Sequence, residues 1–306
     1  MDLSRLFILQ FTMFAEMAAG YALCKLNILK PSERGVISRL VVNVFLPCSI
    51  VNSFAFELDA KTLHGFFSVL AISCAIQGFC YVLSKVLYNR LSHGHRSVLQ
   101  YSTLCSNAGF LGNAVAQGVY GDIGMAYGQF YLIPVRIMMW SAGISCFAEK
   151  SDPKKTIKLI LTHPCIISCA IGVVLMALGI QIPAAIKSVL SGLGNCGTPC
   201  IMIFLGMIMA EIGFSGMVTK TTVYFSFIRL LLIPACVLAG CVLTKNEAVV
   251  TGLSTLLAAM PAGSTTAVLA QQYHADEKFA ANVVVFTTLL SIALLPVWVI
   301  FIHSVV

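Results

Sequence analysis

Two stretches decide the fold of this chain: STLCSNAGFLGNAVAQGVYGD at 102–122 and LLAAMPAGSTTAVLAQQYHAD at 256–276. Each is apolar enough to be helical, yet each carries helix breakers at its middle. In the first they are Asn107-Ala-Gly-Phe-Leu-Gly112, in the second Pro261-Ala-Gly263. Proline removes a backbone donor and frees a carbonyl, and glycine lets two backbones approach closely. The stretches also end alike. Ala114-Val-Ala-Gln-Gly-Val-Tyr-Gly-Asp122 and Ala267-Val-Leu-Ala-Gln-Gln-Tyr-His-Ala-Asp276 match at a displacement of 153 or 154. A second pair, Asn43-x-x-x-Pro47 and Asn195-x-x-x-Pro199, is displaced by 152. Two matches in one frame point to an internal repeat.

The surrounding composition places these stretches in a bilayer. Apolar residues make up 58% of 306 and charged residues 10%, against roughly 25% in a soluble domain. Lipid, not water, must cover such a surface. Charges divide the sequence into ten apolar spans: 6–23, 36–56, 63–83, 97–120, 123–147, 159–180, 188–210, 221–243, 248–272 and 279–302. Four basic residues (Arg5, Lys61, Lys187, Lys245) fall on one side of this count and thirteen on the other, with Arg136 and Arg229 well inside spans. By the positive-inside rule the richer side is cytoplasmic and both termini face outward. The start, MDLSR, has no basic n-region, so the first span is expected to be a mature helix. The net charge of +7 sits in short loops without interleaved aromatics and does not point to nucleic acid.

Five spans per repeat is an odd number, so the second half enters the membrane from the opposite face. The expectation is an all-α polytopic membrane protein with ten transmembrane helices in a 5+5 inverted repeat. Its first half is 1–147, a cytoplasmic linker covers 148–158, and its second half is 159–306. Spans 4 and 9 are expected to be broken and to cross. Asp122 and Asp276 would cap spans 5 and 10. Inverted repeats with mid-membrane breaks are a transporter architecture, with sites at the midplane.

The residues quoted above resemble the auxin efflux carrier family, which includes plant carriers and bacterial malate and malonate permeases. The resemblance runs over essentially the whole chain: Val44-Phe-Leu-Pro47, Asn107 to Gly112, Pro199 to Gly206, Met260-Pro261 through Tyr273, and Thr287 to Pro296. It implies a fold like that of the bile-acid/sodium symporters. Spans 1, 2, 6 and 7 would form a scaffold, and spans 3–5 and 8–10 a moving transport domain. It also implies a small organic anion as substrate; a homodimer through the scaffold helices is the assembly to expect. The family's span 4 motif usually continues Gly-x-Pro, whereas here Gly112-Asn113 is followed by Ala114.

Candidate substrate-binding residues are Asn107, Gly109, Gly112 and Asn113 on span 4, Pro261, Gly263, Ser264 and Thr265 on span 9, and the arginines Arg136 and Arg229. Amides and hydroxyls beside a helix break can hold a carboxylate together with positive half-helix ends; hydrogen bonding between helices is the competing use. Arg136, in mid-span, reads equally as an anion attractor or as the structural partner of a carbonyl or of Glu16. Arg229 reads as a substrate or gate residue, or as a side chain snorkelling outward. Asn43 and Asn195 are expected to satisfy backbone freed at the helix breaks by Pro47 and Pro199. Gln77, which corresponds to Arg229 in the repeat, is left without a role.

No acidic residue sits at the crossing, so sodium coupling is not supported. The cysteine pairs Cys165/Cys169 and Cys196/Cys200 lack a His or acidic partner at ligand spacing, and neither a metal nor a cofactor is expected. Motifs of hydrolases and metalloproteases are absent. The expected function is that of a secondary transporter at the cell membrane, moving an organic anion by an elevator motion. A membrane-embedded ligand sensor or an anion channel on the same fold is the alternative.

Overall fold

A computed structural model describes residues 3–54, 63–147, 161–212 and 217–305. The linker 148–158 lies outside the described residues, as does the side chain of Asp122. The described residues are helical, without named strands. Among the described residues six helices are long and apolar enough to cross a membrane by length and composition: Pro31–Asn52, Gly65–Leu87, Ile123–Phe147, Ala184–Glu211, Lys220–Leu243 and Glu277–Val305. They correspond to spans 2, 3, 5, 7, 8 and 10.

In chain order, α1 is Leu3–Lys25, α2 is Arg34–Leu40 and α3 is Leu46–Ser53. Next come α4 at Leu63–Leu87 and α5 at His93–Leu104. Helix α6 covers Asn113–Met138 and α7 Ile144–Phe147. The second half contributes α8 at Pro164–Ala177, α9 at Ala184–Asn195 and α10 at Gly197–Ile212. Then follow α11 at Lys220–Phe227, α12 at Ile233–Leu243, α13 at Ala248–Ala258, α14 at Thr265–Gln272 and α15 at Glu277–Val305. Four π-turns are found among the described residues, at Val41–Phe45, Ala108–Gly112, Met139–Gly143 and Ile228–Leu232.

Prolines account for two of the interruptions. A proline ring clashes with the carbonyl four residues earlier. For Pro199 that carbonyl belongs to Asn195, where α9 ends. For Pro47 it belongs to Asn43, inside the π-turn that separates α2 from α3. The π-turn widens the ladder, with the Leu46 N–H donating to the Val41 carbonyl. Between spans 4 and 5 the chain turns at Gly121, whose φ of 65° only glycine adopts freely. At the matching turn in the second half, Asp276 Oδ1 accepts from the Phe279 N–H at 2.9 Å and so caps α15 as expected.

Helices α1 and α10 pack backbone to backbone. A methyl group on Gly20 would collide with the Ile203 carbonyl, and one on Gly206 with the Met17 carbonyl. Small residues at such a crossing let dispersion forces act over a long contact, which matters where lipid supplies no hydrophobic drive. An ion-pair cluster ties α2, α10 and α15 together. Arg34 lies 2.9 Å from Glu211 and 3.1 Å from Glu277, and Lys278 lies 2.6 Å from Glu211.

Candidate functional site

The site is built where spans 4 and 9 break. Helix α5 stops at Leu104, and Cys105 is extended with φ −109° and ψ 102°. Helix α13 stops at Ala258. The two exposed backbones then pair. The Asn107 N–H donates to the Pro261 carbonyl at 2.8 Å, and the Gly263 N–H donates to the Cys105 carbonyl at 2.9 Å. Ser106 and Ala262 form an antiparallel bridge between them. The Ala262 N–H donates to Thr287 Oγ1 of α15 at 3.2 Å. Buried polar backbone must be paired, and this bridge does it at a place where neither helix can.

Sequence dictates the closeness of this crossing. A Cβ on Gly263 would lie 2.6 Å from Cys105 Sγ. One on Gly112 would lie 2.8 Å from Leu257 Cδ2 and 3.2 Å from Met260 Cγ. Hydroxyls stitch the flanks: Tyr101 to Thr265 at 3.1 Å, and Ser102 to Thr266 at 3.3 Å. Although Ala114 stands where the family pattern has proline, the first break is complete.

A cavity of about 550 Å³ adjoins the crossing. Its polar wall comes from α3 (Ser49, Asn52), the crossing (Ser106, Gly109), α6 (Asn113, Gln129, Arg136), α9 (Asn195) and α14 (Thr265). Its apolar wall includes Leu46, Ile50, Met125, Leu132, Val135, Met139 and Trp140. The amide oxygens of Asn52, Asn113 and Gln129 are buried without a hydrogen-bond partner among the described residues. Each such amide can present an oxygen or an NH₂ to a ligand. Arg136 lies with its guanidinium 5.5 Å from the centre of the Phe54 ring. Glu16, its suggested partner, has a buried carboxylate oxygen, Oε2, without a hydrogen-bond partner among the described residues.

Gly109, Asn113, Thr265, Arg136 and Asn195 are therefore gathered on one cavity wall. The other candidates are elsewhere. Asn107, Pro261 and Gly263 make the backbone bridge, Gly112 packs beneath it, and Ser264 occupies the position before α14. Asn107 is 2% exposed, and neither of its amide atoms has a partner among the described residues. Snorkelling of Arg229 does not occur. The residue is 3% exposed, because three backbone carbonyls around it accept its hydrogen bonds.

Asn43 donates to the Arg39 carbonyl at 2.8 Å, one turn before the carbonyl that Pro47 displaces, and Asn195 reaches Ser191 Oγ at 3.5 Å. Their expected role as partners of freed backbone is replaced by the π-turn in one case and the helix end in the other. Asn52, Ser106 and Gln129 were not anticipated. Gln129 and Arg136 are seven apart, on one face of α6 with Met125 and Leu132, and that spacing was the available signal. Among the described residues no group of three or more His, Cys, Asp or Glu could hold a metal ion.

A helical bundle with interrupted apolar helices meeting beside a polar, arginine-bearing cavity defines a class, the membrane transport proteins. A family model of that description matches residues 7–299, and the chain belongs to that family, the auxin efflux carrier family. An uncharacterized transporter of Methanothermobacter thermautotrophicus is 25% identical over 297 residues, covering 91% of this chain and 92% of the relative. The uncharacterized transporter MJ1031 of Methanocaldococcus jannaschii is 23% identical over 292 residues, covering 91% and 93%.

Proposed function

We propose that this chain is a secondary carrier for a small organic anion, a carboxylate, working by elevator-type alternating access in the cell membrane. The observation that carries the reading is the cavity wall itself: one arginine and four side-chain amides converge beside a backbone crossing. Arginine matches a carboxylate with its planar fork, and neutral amides complete the binding without fixing a second charge.

The proposed architecture is the ten-helix, 5+5 inverted repeat, with scaffold spans 1, 2, 6 and 7. The cavity takes Asn52 and Asn195 from scaffold spans and Asn113, Arg136 and Thr265 from transport spans, so a sliding of one domain past the other would carry a bound anion with the crossing. Side-to-side contacts support the alternation of spans. Arg34, Glu211, Glu277 and Lys278 fall on the same membrane face in a ten-span count, and they form one ion-pair cluster. Tyr120 and His303, assigned to the opposite face, stand with ring centres 6.4 Å apart.

A thermal-shift screen of purified protein against monocarboxylates, dicarboxylates and indole acids tests the reading. A ligand at a hundred times its Kd adds about 2.7 kcal/mol of apparent stability. The carboxylate that shifts melting should also drive counterflow in proteoliposomes. Binding without counterflow favours a sensor, non-saturating flux favours a channel, and no response to any carboxylate overturns the anion assignment.

A further inference from the structure

The second buried arginine is not on the cavity wall, and its surroundings explain why a charge is kept there. Arg229 lies in the π-turn Ile228–Leu232 between α11 and α12. Its Nη1 donates to the Thr103 carbonyl at 3.1 Å, its Nη2 to the Ala258 carbonyl at 3.1 Å, and its Nε to the Met260 carbonyl at 3.0 Å. Thr103 is in the last turn of α5, Ala258 ends α13, and Met260 lies in the break itself. One side chain therefore gathers carbonyls from both leading half-helices and from the strand-like segment between α13 and α14.

The last four carbonyls of a helix have no partner within it, and the end carries roughly half a negative charge. Two such ends meeting in the membrane interior amount to about one negative charge, which a single guanidinium balances. In other transporter folds, half-helix C-terminal ends and unwound carbonyls are the groups that coordinate a coupling cation. We infer that Arg229 is the resident cation of the crossing: its guanidinium pins the two half-helix ends in register and stands where a bound monovalent cation would otherwise be needed. It is a positioning residue, acting on the ligand through the crossing.

The surroundings are arranged to aim it. Pro234 displaces the carbonyl of Leu230, and Trp298 Nε1 donates to that carbonyl at 2.7 Å, fixing the turn next to Arg229. The corresponding position of the first half is Gln77, buried and neutral, so the repeat supplies one charge for the pair of ends and not two.

The inference stands apart from the anion reading, and its test needs no transported substrate. Purified wild type, Arg229→Lys, Arg229→Met and Arg229→Ala are melted in choline chloride, then with low concentrations of sodium, potassium or guanidinium chloride added. Wild type should melt highest and respond to no added cation beyond ionic strength. Arg229→Lys should lie above Arg229→Met, which fills similar space without charge. Arg229→Ala leaves a cavity lined by three carbonyls and should regain several degrees with guanidinium, sodium or potassium. Equal melting of the Lys and Met variants overturns the inference, as does an Ala variant whose response to every cation equals that of wild type. If Arg229→Ala does not fold, the Lys and Met pair decides alone.

Discussion

At the residue scale, Arg136 carries the anion hypothesis. Hydrogen bonds to a charged partner contribute roughly 1.5–3 kcal/mol, so Arg136→Gln should weaken binding of the carboxylate found by screening about ten- to a hundredfold, with melting of the ligand-free protein little changed. Arg136→Lys should keep part of the affinity, since lysine retains charge and loses the fork. Titrations of the three proteins decide; a fall in melting temperature with unchanged affinity would assign Arg136 a structural role. If Arg136 is instead the structural partner of Glu16, Glu16→Gln should partly restore that loss. The sequence made Arg136, Asn113 and Thr265 legible because a charge, an amide and a hydroxyl stood beside glycines or in mid-span. It hid Asn52 and Gln129, whose place on the cavity wall depends on contacts made only in the folded chain. Arg229 misled for a different reason. The carbonyls that hold it belong to breaks in two other helices, and no local pattern around position 229 encodes them.

At the scale of the element, the breaks themselves were readable. Pro261 and Gly263 mark one side of the crossing and Gly109 and Gly112 flank the other, through backbone rules that do not depend on neighbours. The π-turns were not readable, because an inserted residue in a helix answers to packing rather than to propensity. Substitution of Gly263 tests the crossing directly. A leucine there must push past Cys105, whose Sγ and carbonyl would stand 2.6 Å and 3.1 Å from the new Cβ. Gly263→Leu should insert and express near wild-type levels, because the outer helices are untouched, while counterflow of the screened carboxylate is abolished. Normal counterflow in that variant would remove the crossing from the mechanism. Gly206→Val should behave in the opposite way. It separates α1 from α10 at their backbone contact, so folded yield should drop along with transport.

For the whole molecule, the charge count motivates an orientation. With four basic residues on one side against thirteen on the other, the positive-inside rule leads us to propose that the linker 148–158 faces the cytoplasm. Ser151→Cys, in a background where the exposed Cys74, Cys196 and Cys236 are replaced, should resist a membrane-impermeant maleimide in intact cells and react after permeabilisation. Labelling from outside would reverse the assigned orientation. Hydropathy made the six long apolar helices legible at this scale, since it depends on summed composition over some twenty residues. How the spans enclose a cavity depends instead on contacts between residues far apart in sequence, such as Asn52, Asn113 and Asn195, which meet only in the folded chain.

The chain has two tryptophans, and the fold gives them opposite situations. Trp140 forms part of the cavity wall, stacked on His163 at 5.1 Å, whereas Trp298 is locked to a carbonyl beside Arg229. Indole emission responds to the polarity and the quenchers around the ring, so the protein contains its own optical probe of occupancy. Filling the cavity should alter the emission of Trp140 and leave that of Trp298 steady. A Trp298→Phe variant would then report ligand entry on a dark background, without any label, and Trp140→Phe should be blind to it. The same light could follow the rate at which the chamber fills and empties, a quantity that equilibrium melting does not give.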